Sequence, residues 1–175
     1  MTIAWDKPVR LTDLARGPVE LHLEPDAETR AQIAKRLGLE GLPALRADVA
    51  VRAWLDGAEL TGHFEARVVQ LCGVSLEPFE QAVSGDIDVR LLPAGSPNAP
   101  EEVAPGGEVT LDLEAPEPPD MLEGETIDVT DYVVEHLALE IDPFPRKPGA
   151  SFEFTPPEEE VSPFAVLKQL KDKKI

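Results

Sequence analysis

The chain has 175 residues, of which 42% are hydrophobic, with a single cysteine and a formal net charge of −18. That length fits one domain with extensions rather than two full domains, and the charge excludes wrapping duplex nucleic acid with the whole surface, because such binding is driven by Lys and Arg displacing counterions. Cys72 alone excludes an intramolecular disulfide and gives a cysteine-built zinc site at most one thiolate. No apolar stretch of about 18 residues and no basic start followed by an apolar run occurs, which predicts a cytoplasmic chain that does not span a membrane.

Residues 1–18 read as an N-terminal extension. Val19-Glu20-Leu21-His22-Leu23 then alternates apolar and polar residues, the period of a half-buried strand. A helix of about three turns is expected next, capped by Pro25-Asp26, with Ile33 and Leu37 four apart, Ala34 beside them and Gly38 to end it. Leu45, Ala47, Val49, Val51, Ala53 and Leu55 alternate with Arg46, Asp48, Arg52 and Trp54 until Asp56-Gly57, the strongest hairpin signal in the chain. The returning strand, residues 59–71, puts Leu60, Phe64, Ala66 and Val68 on one face and His63, Glu65 and Arg67 on the other. Cys72-Gly73-Val74-Ser75 reads as a second turn, and strands over 76–83 and 87–92, joined at Ser84-Gly85, complete an antiparallel meander.

Between Arg90 and Arg146 there is no Lys or Arg, while Glu101, Glu102, Glu108, Asp112, Glu114 and many further carboxylates accumulate. Residues 93–125 therefore read as a long acidic loop, broken by glycine and proline, with a short strand at 109–113. It is either a solvated loop or a field that attracts a basic partner. Residues 128–140 return to helical spacing through Val129, Val133 and Leu137, and Asp142-Pro143-Phe144-Pro145 ends the helix. Residues 146–161 read as a flexible linker. In the last block, 162–175, Ser162 caps and Pro163 starts a short helix. Phe164, Leu167 and Leu170 form its apolar stripe, and Lys168, Lys171 and Lys174 lie beside that stripe. This tail docks in trans on a partner, folds back in cis on its own domain, or frays. The whole is an α+β chain whose main domain spans 19–145: an antiparallel β-meander with flanking helices, the acidic loop and a short C-terminal helical tail.

Catalysis finds little support. His22, His63 and His136 sit in a strand, a strand and a helix without metal or triad spacing, and Gly106-Gly107 lacks the lysine of a phosphate loop. No catalytic residue, metal or cofactor is expected. Cys72 and Ser75 form the remnant of a C-x-x-C turn, in which serine is a poor zinc ligand. The residues with partner-binding chemistry are Pro163, Phe164, Leu167, Lys168, Leu170 and Lys171.

Three blocks together, the hairpin ending at Cys72, the helix of 127–141 followed by Pro143 and Pro145, and the tail Ser162-Pro163-Phe164-Ala165-Val166-Leu167-Lys168-Gln169-Leu170-Lys171, resemble the YceD family, the large ribosomal RNA subunit accumulation proteins. The resemblance runs from about Val19 to the C-terminus and includes the acidic loop. It implies a non-enzymatic cytoplasmic factor in ribosome biogenesis that supports accumulation of large-subunit, 23S-type ribosomal RNA. The implied partner is a ribosomal protein or a precursor of that RNA, with no role for DNA or a membrane. Many relatives carry C-x-x-C at the hairpin turn and a further cysteine after the helix, suggesting a zinc knuckle. This chain has Cys72 with Ser75 and a cysteine-free Phe144-Pro145-Arg146-Lys147, so the knuckle is degenerate. The alternative is an acidic protein-interaction module that regulates an RNA-processing enzyme without touching RNA. Oligomeric state is not set by the sequence.

Overall fold

The computed structural model describes residues 5–99 and 118–152. In chain order they form β1 (Pro8–Arg10), a 3-10 turn (Leu11–Arg16), β2 (Val19–Leu23), α1 (Ala27–Arg36), β3 (Gly41–Trp54), β4 (Gly57–Leu71), β5 (Pro78–Pro93), β6 (Asp120–Leu122), β7 (Thr126–Asp128) and α2 (Val129–Glu140). The fold is α+β, as the patterning requires. A sheet of order β2-β3-β4-β5-β6 is antiparallel through its first four strands, and β6 joins the end of β5 in parallel. β1 and β7 make a separate antiparallel pair.

The alternation of β3 and β4 decides which face is dry. Leu45, Ala47, Val49 and Val51 are buried with Leu60, Phe64, Ala66 and Val68, while Arg46, Asp48, His63, Glu65 and Arg67 between them are exposed. Ile33 and Ala34 of α1 and Val129, Val133, Val134 and Leu137 of α2 belong to the same apolar cluster. Both helices start on a carboxylate cap. Asp26 accepts the Thr29 N–H at 2.8 Å, which holds its carboxyl below the usual range, and Asp128 accepts the Thr130 N–H at 3.0 Å and the Thr130 hydroxyl at 2.7 Å. Trp5, Val9 and Leu14 also join the cluster, and β1 lies on β7 with Val9 opposite Ile127.

The structure corrects two turns. The first hairpin turns at Leu55 and Asp56, with φ of 53° at Leu55, and Gly57 is already paired with Trp54. Gly57 is needed for close approach, since a Cβ there would lie 1.9 Å from the Leu91 carbonyl oxygen. Ser84-Gly85 is no turn at all. β5 runs through it unbroken, and Gly85 sits opposite Phe64, whose Cε1 would be 2.9 Å from an added Cβ. Strand pairing resumes only at Pro78, because Leu76 at φ 57° still belongs to the turn. Most of the acidic loop 93–125, including the strand expected at 109–113, lies outside the described residues, as do linker residues 153–161 and the tail 162–175. Among the described residues no helix is long and apolar enough to cross a membrane.

Candidate functional site

The β4–β5 hairpin end and the chain leaving α2 are brought together around one sulfur. Leu76 N–H bonds back to the Cys72 carbonyl and Cys72 N–H to the Glu77 carbonyl, each at 2.9 Å, which closes the turn. The Cys72 side chain points inward and is fully buried. Its Sγ accepts the N–H groups of Val74, Ser75 and Lys147, each at 3.4 Å. The Ser75 hydroxyl, the Ser75 N–H and the Lys147 N–H stabilise negative charge on sulfur, and they outweigh burial enough to lower the thiol from 9.0 to about 6.

The strand-to-turn join is reinforced from the other side of the sequence. Gly73 N–H donates to the Pro145 carbonyl at 2.9 Å, and Gln70 Nε2 to the Asp142 carbonyl at 2.9 Å. Lys147 Nζ reaches Glu77 at 2.8 Å, a pairing that lowers the Glu77 carboxyl and raises the Lys147 amine. Both side chains are well exposed, so the pair contributes little to stability beyond orienting the loop.

This donor set does not fit zinc. Zinc wants four ligands, of which Cys72 is the single thiolate in the sequence. The sulfur's lone pairs already accept N–H groups, and the chain facing it supplies Lys147 rather than a further ligand. Among the described residues no group of three His, Cys, Asp or Glu side chains is arranged to hold a metal. The N–H groups of Val74, Ser75 and Lys147 on Sγ tie the turn to the loop after α2 directly.

The wet face of the sheet carries a second ordered feature. His22, Asp48, His63 and Asp86 are successive register partners across β2, β3, β4 and β5. His22 Nδ1 lies 2.6 Å from Asp48 Oδ1, and His63 Nδ1 lies 2.8 Å from Asp86 Oδ1. The hydrogen bond and charge of Asp48 raise the His22 pKa. Beside this row Arg46 pairs with Glu65 and Arg67 with Glu80. All of these groups are exposed, and the partner of each of these imidazoles among the described residues is a carboxylate. His136 is spent on the Tyr132 carbonyl, at 2.9 Å, one helical turn back. An open depression of about 670 Å³ over this face is lined by Ala44, Ala82 and Ser84 and by both charges, Arg30, Arg46 and Arg67 with Glu24 and Glu65.

Cys72 and Ser75, picked out by sequence, share one turn. Pro163, Phe164, Leu167, Lys168, Leu170 and Lys171 lie outside the described residues. Sequence reasoning missed Lys147 and Pro145 as partners of that turn. Nothing local signals a bond between positions 75 residues apart.

A family model described as Large ribosomal RNA subunit accumulation protein YceD matches residues 60–171. The match takes in most of β4, all of β5, the Cys72 turn, α2 and all six of the tail residues just named. No match is found among curated proteins or among solved structures.

Proposed function

The chain belongs to the YceD family, and on that premise we propose that it supports ribosome biogenesis as a non-enzymatic cytoplasmic factor required for accumulation of large-subunit, 23S-type ribosomal RNA. The observation that carries this reading is the extent of the family match, which reaches from β4 through the post-helix loop into the basic tail. The exposed groups of the sheet support a binding role over a catalytic one, because they are ion-paired with each other across strands around an open depression.

In the proposed mechanism the tail engages a ribosomal protein or precursor ribosomal RNA. Phe164, Leu167 and Leu170 enter an apolar groove behind Pro163, and Lys168 and Lys171 contact phosphate or an acidic rim. The acidic segment around residues 101–117 attracts the basic surface of a ribosomal protein. Affinity capture with the full chain and with a chain lacking residues 162–175 tests this directly. Loss of large-subunit precursor and ribosomal protein on deletion is expected. Unchanged recovery would remove the tail from the mechanism. Direct RNA contact through the tail lysines also requires affinity for isolated RNA to fall steeply with salt.

A further inference from the structure

β5 is 16 residues long, yet on the side away from β4 only Leu91, Leu92 and Pro93 meet another strand. The phase of the β4–β5 ladder follows from one bond. Cys72 N–H donates to the Glu77 carbonyl, which marks Cys72 and Glu77 as a hydrogen-bonded pair. Alternation then makes Gln70/Phe79, Val68/Gln81, Ala66/Val83 and Phe64/Gly85 hydrogen-bonded pairs as well. The intervening residues Glu80, Ala82, Ser84, Asp86 and Asp88 therefore aim N–H and C=O outward, in the same phase in which Leu92 meets β6. Among the described residues none of these outward groups has a backbone partner. Pro78 falls in that phase too, where its missing N–H costs β4 nothing.

Natural sheets protect such an edge or use it. Here the flanks are acidic and partly apolar. Glu80, Asp86 and Asp88 line the wet side, and Glu135 faces out from α2. Arg67 and His63 pair with Glu80 and Asp86, whereas Asp88 and Glu135 have no ion-pair partner among the described residues. At one end of the edge Val89, Tyr132 and Leu139 line an open depression, and at the other Phe79, Phe144 and Pro148 line a second. Leu139 and Phe144 are each 80% exposed.

We propose that the outer edge of β5, from Glu80 to Asp88, receives an extended polypeptide segment bearing lysine or arginine as an added strand. Its backbone pairs with the outward N–H and C=O groups. Its basic side chains meet Asp88 and Glu135, and its apolar ones lie against Leu139 and Phe144. The ion-unpaired carboxylates of Asp88 and Glu135 at one end of this edge favour a basic polypeptide over a nucleic-acid backbone. The proposal goes beyond the assembly function and is independent of the tail, so its failure leaves that reading standing.

The test is fluorescence anisotropy of a short labelled peptide alternating lysine and valine, titrated with the full chain, beside a control peptide alternating glutamate and valine. Saturable, salt-weakened binding of the lysine peptide alone is expected. Ser84→Pro removes one outward N–H without touching a bond to β4, and affinity should drop about tenfold. Should Ser84→Pro fail to fold, the exposed pair Asp88→Lys/Glu135→Lys serves instead and should weaken binding by a similar factor. Absence of binding, or affinity that both variants leave unchanged, overturns the proposal. So does concentration-dependent dimerisation in sedimentation equilibrium that Ser84→Pro abolishes, since the edge would then belong to a second copy.

Discussion

Replacing Gly85 by alanine puts a methyl group 2.9 Å from Cε1 and 3.0 Å from Cζ of Phe64, where an ordinary carbon–carbon contact needs about 3.5–4.0 Å. The third close atom, Glu140 Cγ at 3.0 Å, belongs to an exposed flexible side chain that can swing away. The Phe64 ring cannot, because it is fully buried among core side chains. Overpacking of this kind costs about 1–3 kcal/mol, and the loss of glycine's freedom in the unfolded chain returns about 0.4–1 kcal/mol. Gly85→Ala should therefore destabilise by about 1–2 kcal/mol, a fall in melting temperature of about 2–8 °C at this chain length. Phe64→Leu alone should cost about 1.5 kcal/mol. Together the two should cost about 1 kcal/mol less than their sum, because the shorter side chain vacates the space the methyl needs. Urea unfolding of all four proteins, followed by circular dichroism, completes the double-mutant cycle. Additivity within about 0.5 kcal/mol would refute the claim that glycine is required here by the ring across the ladder.

Cys72 links stability to pH. Its folded-state pKa is depressed to about 6 from 9.0, so the stabilisation is fully present above about pH 9 and is lost as pH falls toward 6. The gap in urea midpoint between the natural chain and Cys72→Ala should narrow over that window, and a gap independent of pH would show that the thiolate is not held by its N–H donors. Excess chelator should leave the melting temperature of the natural chain unchanged, and a drop of several degrees would reveal a bound metal. Asp128→Ala removes the cap that accepts from Thr130 and should cost about 1 kcal/mol in the same unfolding assay, since N-cap deletions typically do.

The meander was legible because its information is local. Alternation names the buried face from Leu45 to Val51 in β3 and from Leu60 to Val68 in β4, although Ala53 and Leu55, in the same pattern, are exposed, and Asp26 announces α1 through its cap chemistry. The misplaced turns share one cause. Asp56-Gly57 and Ser84-Gly85 both carry glycine, and glycine in a one-dimensional reading means a turn. In three dimensions Gly57 makes room for the Leu91 carbonyl and Gly85 for the Phe64 ring, demands imposed by strands far away in sequence. Likewise β1 is three residues long, too short for any period to show, and its role in the core depends on meeting β7. At the Cys72 turn, sequence exposed the thiol and the hydroxyl of Ser75. The N–H that completes the sulfur's shell arrives from beyond α2, on a backbone group that every residue type except proline would supply.

The pairing of β1 with β7 sets an order of events during synthesis. β2 through β5 join neighbours in sequence, so the meander can condense as each strand leaves the exit tunnel. β1 is made first, but Arg10 has no strand to meet until Thr126 has been added. At about 5–20 residues per second, the N-terminal segment with Trp5 and Val9 waits on the order of 10 s before its cleft exists. A nascent chain halted before β7 would consequently show a protected hairpin beside an accessible Trp5.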